Sequence, residues 1–144
     1  MVNGMNANSV ILGTFGRLYI NNVRVANIKS FELKASMNYE DILVNGNLIT
    51  QSKYTGATLT GTMVVHKVDS FNINLVKDAI KTGVMPSIKF MGELSDVNID
   101  GDEAIEVSDV MFDEATLLSF VNGEVREEST AFRAGDFNYL STID

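Results

Sequence analysis

Residues 31–40 read FELKASMNYE. Phe31, Leu33, Ala35, Met37 and Tyr39 put apolar or small groups at every odd position. Glu32, Lys34, Ser36, Asn38 and Glu40 put polar or charged ones at every even position. Side chains of a strand alternate between faces, so this period of two predicts a long strand with one dry and one wet side. Such a strand carries unpaired backbone groups along both edges and must find partners.

On the N-terminal side, Gly13 and Gly16 bracket a turn before a strand over 17–20, and residues 1–13 read as a polar, flexible arm. Asn21-Asn22 suits a tight hairpin turn, because Asn tolerates positive φ. Val23 and Val25 start the return strand. The alternation changes phase near Ile28, the mark of a bulge.

On the C-terminal side, Asn45-Gly46 is the strongest hairpin signal in the chain, and residues 41–56 are expected to protrude as a hairpin or long loop. Residues 57–65 alternate again. Ala57, Leu59, Gly61, Met63 and Val65 take one side, with Thr58, Thr60 and Thr62 on the other, where β-branched polar groups suit a wet face.

Residues 70–81 have helical spacing in Phe71, Leu75, Val76, Ala79 and Ile80. Ser70 or Asp69 can cap the start, Lys81 favours the C-terminal end, Gly83 can end the helix, and Pro86 prevents its continuation. Strands are expected over 87–91, 104–112, 116–120 and 124–132. An acidic loop spans 93–103, Asn122-Gly123 marks a further hairpin, and 137–140 forms a short last strand or arm. The fold class is therefore α+β and mainly β: one domain over 1–144, an antiparallel sandwich or barrel with one flanking helix.

With 144 residues, 45% of them hydrophobic, the chain can bury a core. It has no cysteine, which removes disulfides and thiolate metal sites. No apolar run is long enough to span a bilayer, and the N-terminus has no signal-peptide pattern. The formal charge of −8 disfavours phosphate backbones and anionic lipid surfaces. It serves solubility, and it would also suit an acidic wall along which DNA slides without sticking.

Chemistry is hard to find. Asp96-x-Asn98-x-Asp100-Gly101 opens like a calcium loop, but the twelfth position is Val107, with Glu106 one residue early, and the flanks read as strands. An acidic solvated loop is the better account. His66 is the only histidine and has no second ligand or nucleophile beside it. Gly13-Thr14-Phe15-Gly16 lacks the Lys and the third Gly of a phosphate loop. Glu127-Glu128 and Asp113-Glu114 are adjacent pairs, and neighbouring strand residues point to opposite faces, so neither makes a catalytic pair. No catalytic residue, cofactor site or metal site is expected.

A wider pattern runs through the chain: Gly13-x-x-Gly16-x-Leu18-Tyr19-Ile20, then Asn38-Tyr39-Glu40, Asn45-Gly46 and Lys53-Tyr54-x-Gly56. Thr60-Gly61-Thr62, His66-Lys67-Val68, a helix, and Val107 through Phe112-Asp113 follow. This resembles the tail-tube proteins of contractile phage tails and phage-tail-like particles, including those of defective phage-like elements such as PBSX and of R-type bacteriocins. The resemblance implies a non-enzymatic structural protein. It implies homo-hexameric rings whose strands join in a barrel around a channel, stacked as a tube inside a sheath. Baseplate and tape-measure proteins are the other implied partners, and DNA passes without specific binding if the particle is a phage. The implied location is a virion tail or tail-like particle made in the bacterial cytoplasm, with no membrane anchor.

On this reading Glu32, Lys34, Ser36, Asn38, Thr58, Thr60 and Thr62 are the candidates to face the lumen. Phe31, Leu33, Met37, Leu59 and Met63, with Phe71, Leu75 and Ile80 of the helix, are the expected core. Residues 1–13 and the 41–56 hairpin, with Asp41, Asn45, Gly46, Lys53 and Tyr54, are the candidates for ring stacking. The rival readings are a type VI secretion-like tube, a monomeric β-sandwich binding module, and an enzyme with carboxylates drawn from distant strands.

Overall fold

The structure is a computed structural model and describes residues 16–96 and 101–143. The elements in chain order are β1 (Gly16–Ile20), β2 (Val23–Arg24), β3 (Ile28–Ile42), β4 (Gln51–His66), α1 (Phe71–Thr82), β5 (Phe90–Ser95), β6 (Asp102–Ser108), β7 (Met111–Phe112), β8 (Glu127–Ala134) and β9 (Asp136–Ser141). They form two open antiparallel sheets, ordered β2-β1-β5-β6-β9 and β3-β4-β8-β7.

The local signals place several of these elements. Asn21 and Asn22 both have positive φ (49° and 68°) and join Ile20 to its ladder partner Val23 in a two-residue turn. The phase change near Ile28 is a bulge between Ile28 and Ser30. Helix α1 starts with the Phe71 N–H donating to Asp69 Oδ1 at 3.1 Å. It ends on Gly83 at φ 77°, whose N–H reaches the Ala79 carbonyl, a left-handed cap that glycine adopts without a Cβ penalty.

The core lies between the sheets. Leu18 and Ile20 of β1, Phe90 of β5 and Val107 of β6 meet Met63 and Val65 of β4 and Phe132 of β8. Aromatic rings knit the layers: Phe90 stands edge-on to Phe132 at 4.9 Å, and Phe31 stacks on Phe132 at 5.8 Å. Gly61, between Leu33 and Phe132 on the ladder, makes room for that ring. A Cβ there would fall on the Glu32 carbonyl oxygen and 2.5 Å from Phe132 Cζ. Phe71, Ile73 and Leu75 of α1 pack against the same cluster, with Val76 and Ala79 buried.

Five expectations are corrected. Residues 116–120 form no strand; they belong to the long connection between β7 and β8. Asn122-Gly123 is a turn inside that connection, closed by the Glu124 N–H on the Val121 carbonyl, and joins no paired strands. The expected strand over 104–112 is two strands in different sheets, broken at Asp109, which has φ 54°. The strand after the helix pairs from Phe90 to Ser95 and the next from Asp102, so five of the seven described residues of the expected acidic loop are ladder. Met37 and Ile80, expected in the core, are each 59% exposed. The N-terminal arm and positions 97–100 of the calcium-like motif lie outside the described residues.

Candidate assembly surfaces

The ladder between β3 and β4 pairs Glu32 with Thr62, Lys34 with Thr60, Ser36 with Thr58 and Asn38 with Gly56. Residues directly opposite each other share a face. All seven lumen candidates therefore stand on one side of the four-stranded sheet, the side away from the core. Arg133, Ala131 and Ser129 of β8 extend that face, opposite Thr60, Thr62 and Val64.

Its charges stand in opposed pairs. Lys34 Nζ is 3.2 Å from Glu32, Arg133 Nε is 2.7 Å from Asp113, and Lys29 Nζ is 2.8 Å from Glu127. The Lys29 hydrogen bond holds the Glu127 carboxyl below its ordinary range, against the opposing effect of desolvation. Glu40 stands opposite Lys53. The face is thus rich in hydroxyls and near neutral. The acid excess of the chain lies elsewhere, so this surface is not the acidic wall that overall composition suggests.

The two sheets differ in length. β3 and β4 have 15 and 16 residues, whereas β1 and β5 have 5 and 6. At about 3.3 Å per residue, a ribbon of roughly 50 Å is covered by a layer of roughly 20 Å. Up to Leu33 the inner face is packed. Beyond it Ala35, Met37 and Tyr39 continue the dry stripe and are exposed, with none of the described residues of the short sheet packed over them.

A second bulge keeps this stripe in phase. The pairing passes from Asn38–Gly56 to Tyr39–Tyr54, leaving Thr55 extra. Were Thr55 an ordinary ladder residue, Tyr54 would point to the wet side; because it is bulged out, Tyr54 joins Tyr39 and the two rings meet at 5.8 Å. The Tyr39 hydroxyl donates to Met37 Sδ at 3.7 Å.

The stacking candidates divide between the two faces and the tip. Asp41, held by the Ser52 hydroxyl at 3.0 Å, shares the side of Tyr39 and Tyr54, while Lys53 lies on the other. Asn45 and Gly46 occupy the connection 43–50. There the Asn47 N–H bonds the Val44 carbonyl and Gly46 has φ 82°, so the turn is real but sits inside an eight-residue loop. Leu43, Leu48 and Ile49 in this loop are exposed.

Sequence reasoning missed a second uncovered surface. Leu117, Leu118, Phe120, Val121 and Val125 are all exposed in the β7–β8 connection. Just before them Ala115 packs on the core, and Ala115 and Thr116 line a small hollow with Asn72 and Ile73 of α1. The signal is the apolar run itself, whose composition suits a strand as well as an uncovered surface.

The rest of the described surface offers little chemistry. The described residues contain no cluster of three or more His, Asp or Glu able to hold a metal ion, and no helix long and apolar enough to cross a membrane. A hollow of about 100 Å³ between β2 and the start of α1 is small for an organic ligand. It ends at Glu128, a buried carboxylate paired with Lys67 at 3.0 Å. His66 is exposed at the end of β4, its carbonyl accepting from Asn27 Nδ2 at 2.5 Å.

A family model described as phage tail tube protein matches residues 3–141. The phage-like element PBSX protein XkdM of Bacillus subtilis (strain 168) is 34% identical over 136 residues, covering 93% of this chain and 92% of that protein. Among solved structures, the tube-terminating cap of the anti-feeding prophage matches with a TM-score of 0.75 at 10% identity, covering 97% of each chain. The sheath–tube complex of the PVC extracellular contractile injection system, in its extended state, matches with a TM-score of 0.74 at 8% identity, covering 94% of this chain and 95% of that one. At such identities the two structures speak to the fold.

Proposed function

Given that this chain belongs to the phage tail tube protein family, a family of structural tail components and not of enzymes, we propose that six copies close into a ring. The rings stack as the inner tube of a contractile tail or tail-like particle, and the tube is a conduit through the target envelope.

One observation carries this reading: β3 is a 15-residue strand at the open edge of its sheet, and its far half is covered on neither face. A long bare edge invites pairing with another chain. Successive antiparallel pairings through β4 and β8 make β3 antiparallel to β7, at the opposite edge. Copies related by rotation about one axis therefore bring β7 beside β3 in antiparallel sense. β7 has two residues and spans only part of the β3 edge; joined there, the sheet continues from copy to copy until the ring closes.

In such a ring the face of Glu32, Lys34, Ser36, Asn38, Thr58, Thr60 and Thr62 lines the lumen. Its paired charges offer DNA no net basic surface, so DNA would pass without specific binding if the particle carries it. A tape-measure protein would fill the lumen during assembly, and sheath and baseplate would meet the outer surface and the end of the tube. The hairpin end over 41–56, with the arm over 1–13, makes the contact between rings. Synthesis takes place in the cytoplasm of the bacterial host.

Negative-stain imaging of the purified protein, over a range of concentrations, tests the proposal. Hollow rings or tubes with six-fold end views are expected. A protein that stays monomeric at every concentration overturns it in favour of a binding module.

A further inference from the structure

Both of the uncovered apolar segments lack charge. Residues 42–50 read ILVNGNLIT and residues 115–123 read ATLLSFVNG, in a chain that is 21% charged. They sit at opposite ends of the same sheet. β4 starts at Gln51, beside the first segment, and ends at His66, which pairs with Glu127. The Lys67 N–H donates to the Arg126 carbonyl, and the Asp113 N–H to that of Ala131, so the connection holding the second segment runs along β8 toward the His66 end. A strand of 16 residues, roughly 50 Å, separates the two ends.

We infer that the β7–β8 connection, through Leu117, Leu118, Phe120, Val121 and Val125, is the seat on which the hairpin end of a copy in the adjacent ring lands. The occupant is a second copy of this chain. Stacking along the axis of a tube is a head-to-tail contact, which needs two different patches at opposite ends of one molecule. The two segments meet that condition in position, in length and in their lack of charge. Placing a loop of Leu43, Leu48 and Ile49 on Leu118 and Phe120 removes from water two surfaces that the protomer leaves bare. The inference rests on the stacked-ring reading above and adds the receiving surface.

The test uses the full chain with one charge at either end. Leu48 and Phe120 are 103% and 78% exposed, so Leu48→Glu and Phe120→Glu should leave the unfolding midpoint of the isolated protein unchanged. Each variant alone is expected to give single rings and no tubes by electron microscopy. A mixture of the two should give ring doublets and nothing longer, because the intact hairpin end of Phe120→Glu meets the intact seat of Leu48→Glu. Tubes of parental length from Phe120→Glu, or a mixture without doublets, overturn the inference while leaving rings intact. A parent protein that forms neither rings nor tubes removes the stacked-ring reading itself, and this inference with it.

Discussion

Gly61 shows how one residue without a side chain sets the spacing of the whole sandwich. It stands in β4 between Leu33 and Phe132, and the Phe132 ring fills the space a Cβ would take. Phe132 is fully buried and touches Phe31 and Phe90, so the ring cannot retreat without opening the core. Gly61→Ala is expected to lower stability by about 3 kcal/mol, read as a drop in the urea midpoint of the monomer. A midpoint unchanged by the substitution would show that the rings are not locked as described. Lys29 and Glu127 lie at the opposite extreme. Their 2.8 Å pair is exposed, solvent screens it, and it belongs to the surface pattern more than to stability.

At the scale of elements, turn chemistry was legible wherever it was local. Asn21-Asn22 takes positive φ at both positions, as its residue types suggested. The Asn21 backbone and side chain also clasp Lys89, donating to its carbonyl and accepting from its N–H at 2.9 Å each. Asn22→Ala should cost about 1 kcal/mol and Asn22→Gly nothing, measured by urea denaturation, because only Ala suffers in the left-handed region. An equal loss from both would mean that the Asn22 side chain, not its backbone, matters. The helix was legible for the same reason: its spacing and its stop at Gly83 are local. The split of residues 104–112 into β6 and β7 was not. Both halves have strand-like composition, and the change of sheet at Asp109 depends on partners far away in sequence.

For the whole molecule, the decisive feature is a mismatch in length between its two layers. It leaves the distal part of the β3–β4 ribbon, with Met37, Tyr39 and Tyr54, outside the core. Replacing residues 43–50 with a two-residue Asn-Gly turn should keep the ladder, whose last pair is Ile42 with Gln51, and shift the melting temperature little. The same change should abolish tubes by electron microscopy while leaving rings. Long tubes from the shortened protein would remove the loop from the stacking contact.

Local preferences alone account for the alternation of the two long strands, the asparagine turn, the bulge near Ile28, the helix and its caps, and the gathering of seven polar candidates on one face. Each of these follows from the backbone preference or side-chain period of neighbouring residues. Which apolar positions are covered depends on long-range packing. Phe31 and Met37 lie on one stripe and are indistinguishable by pattern, yet one packs on the core and the other lies bare. The same holds for Val76 and Ile80 on the helix, and for the run at 116–120, which pairs with no strand among the described residues. Alternation records that a face is suited to be dry. Whether the cover comes from the same chain or must come from another depends on where the facing layer ends.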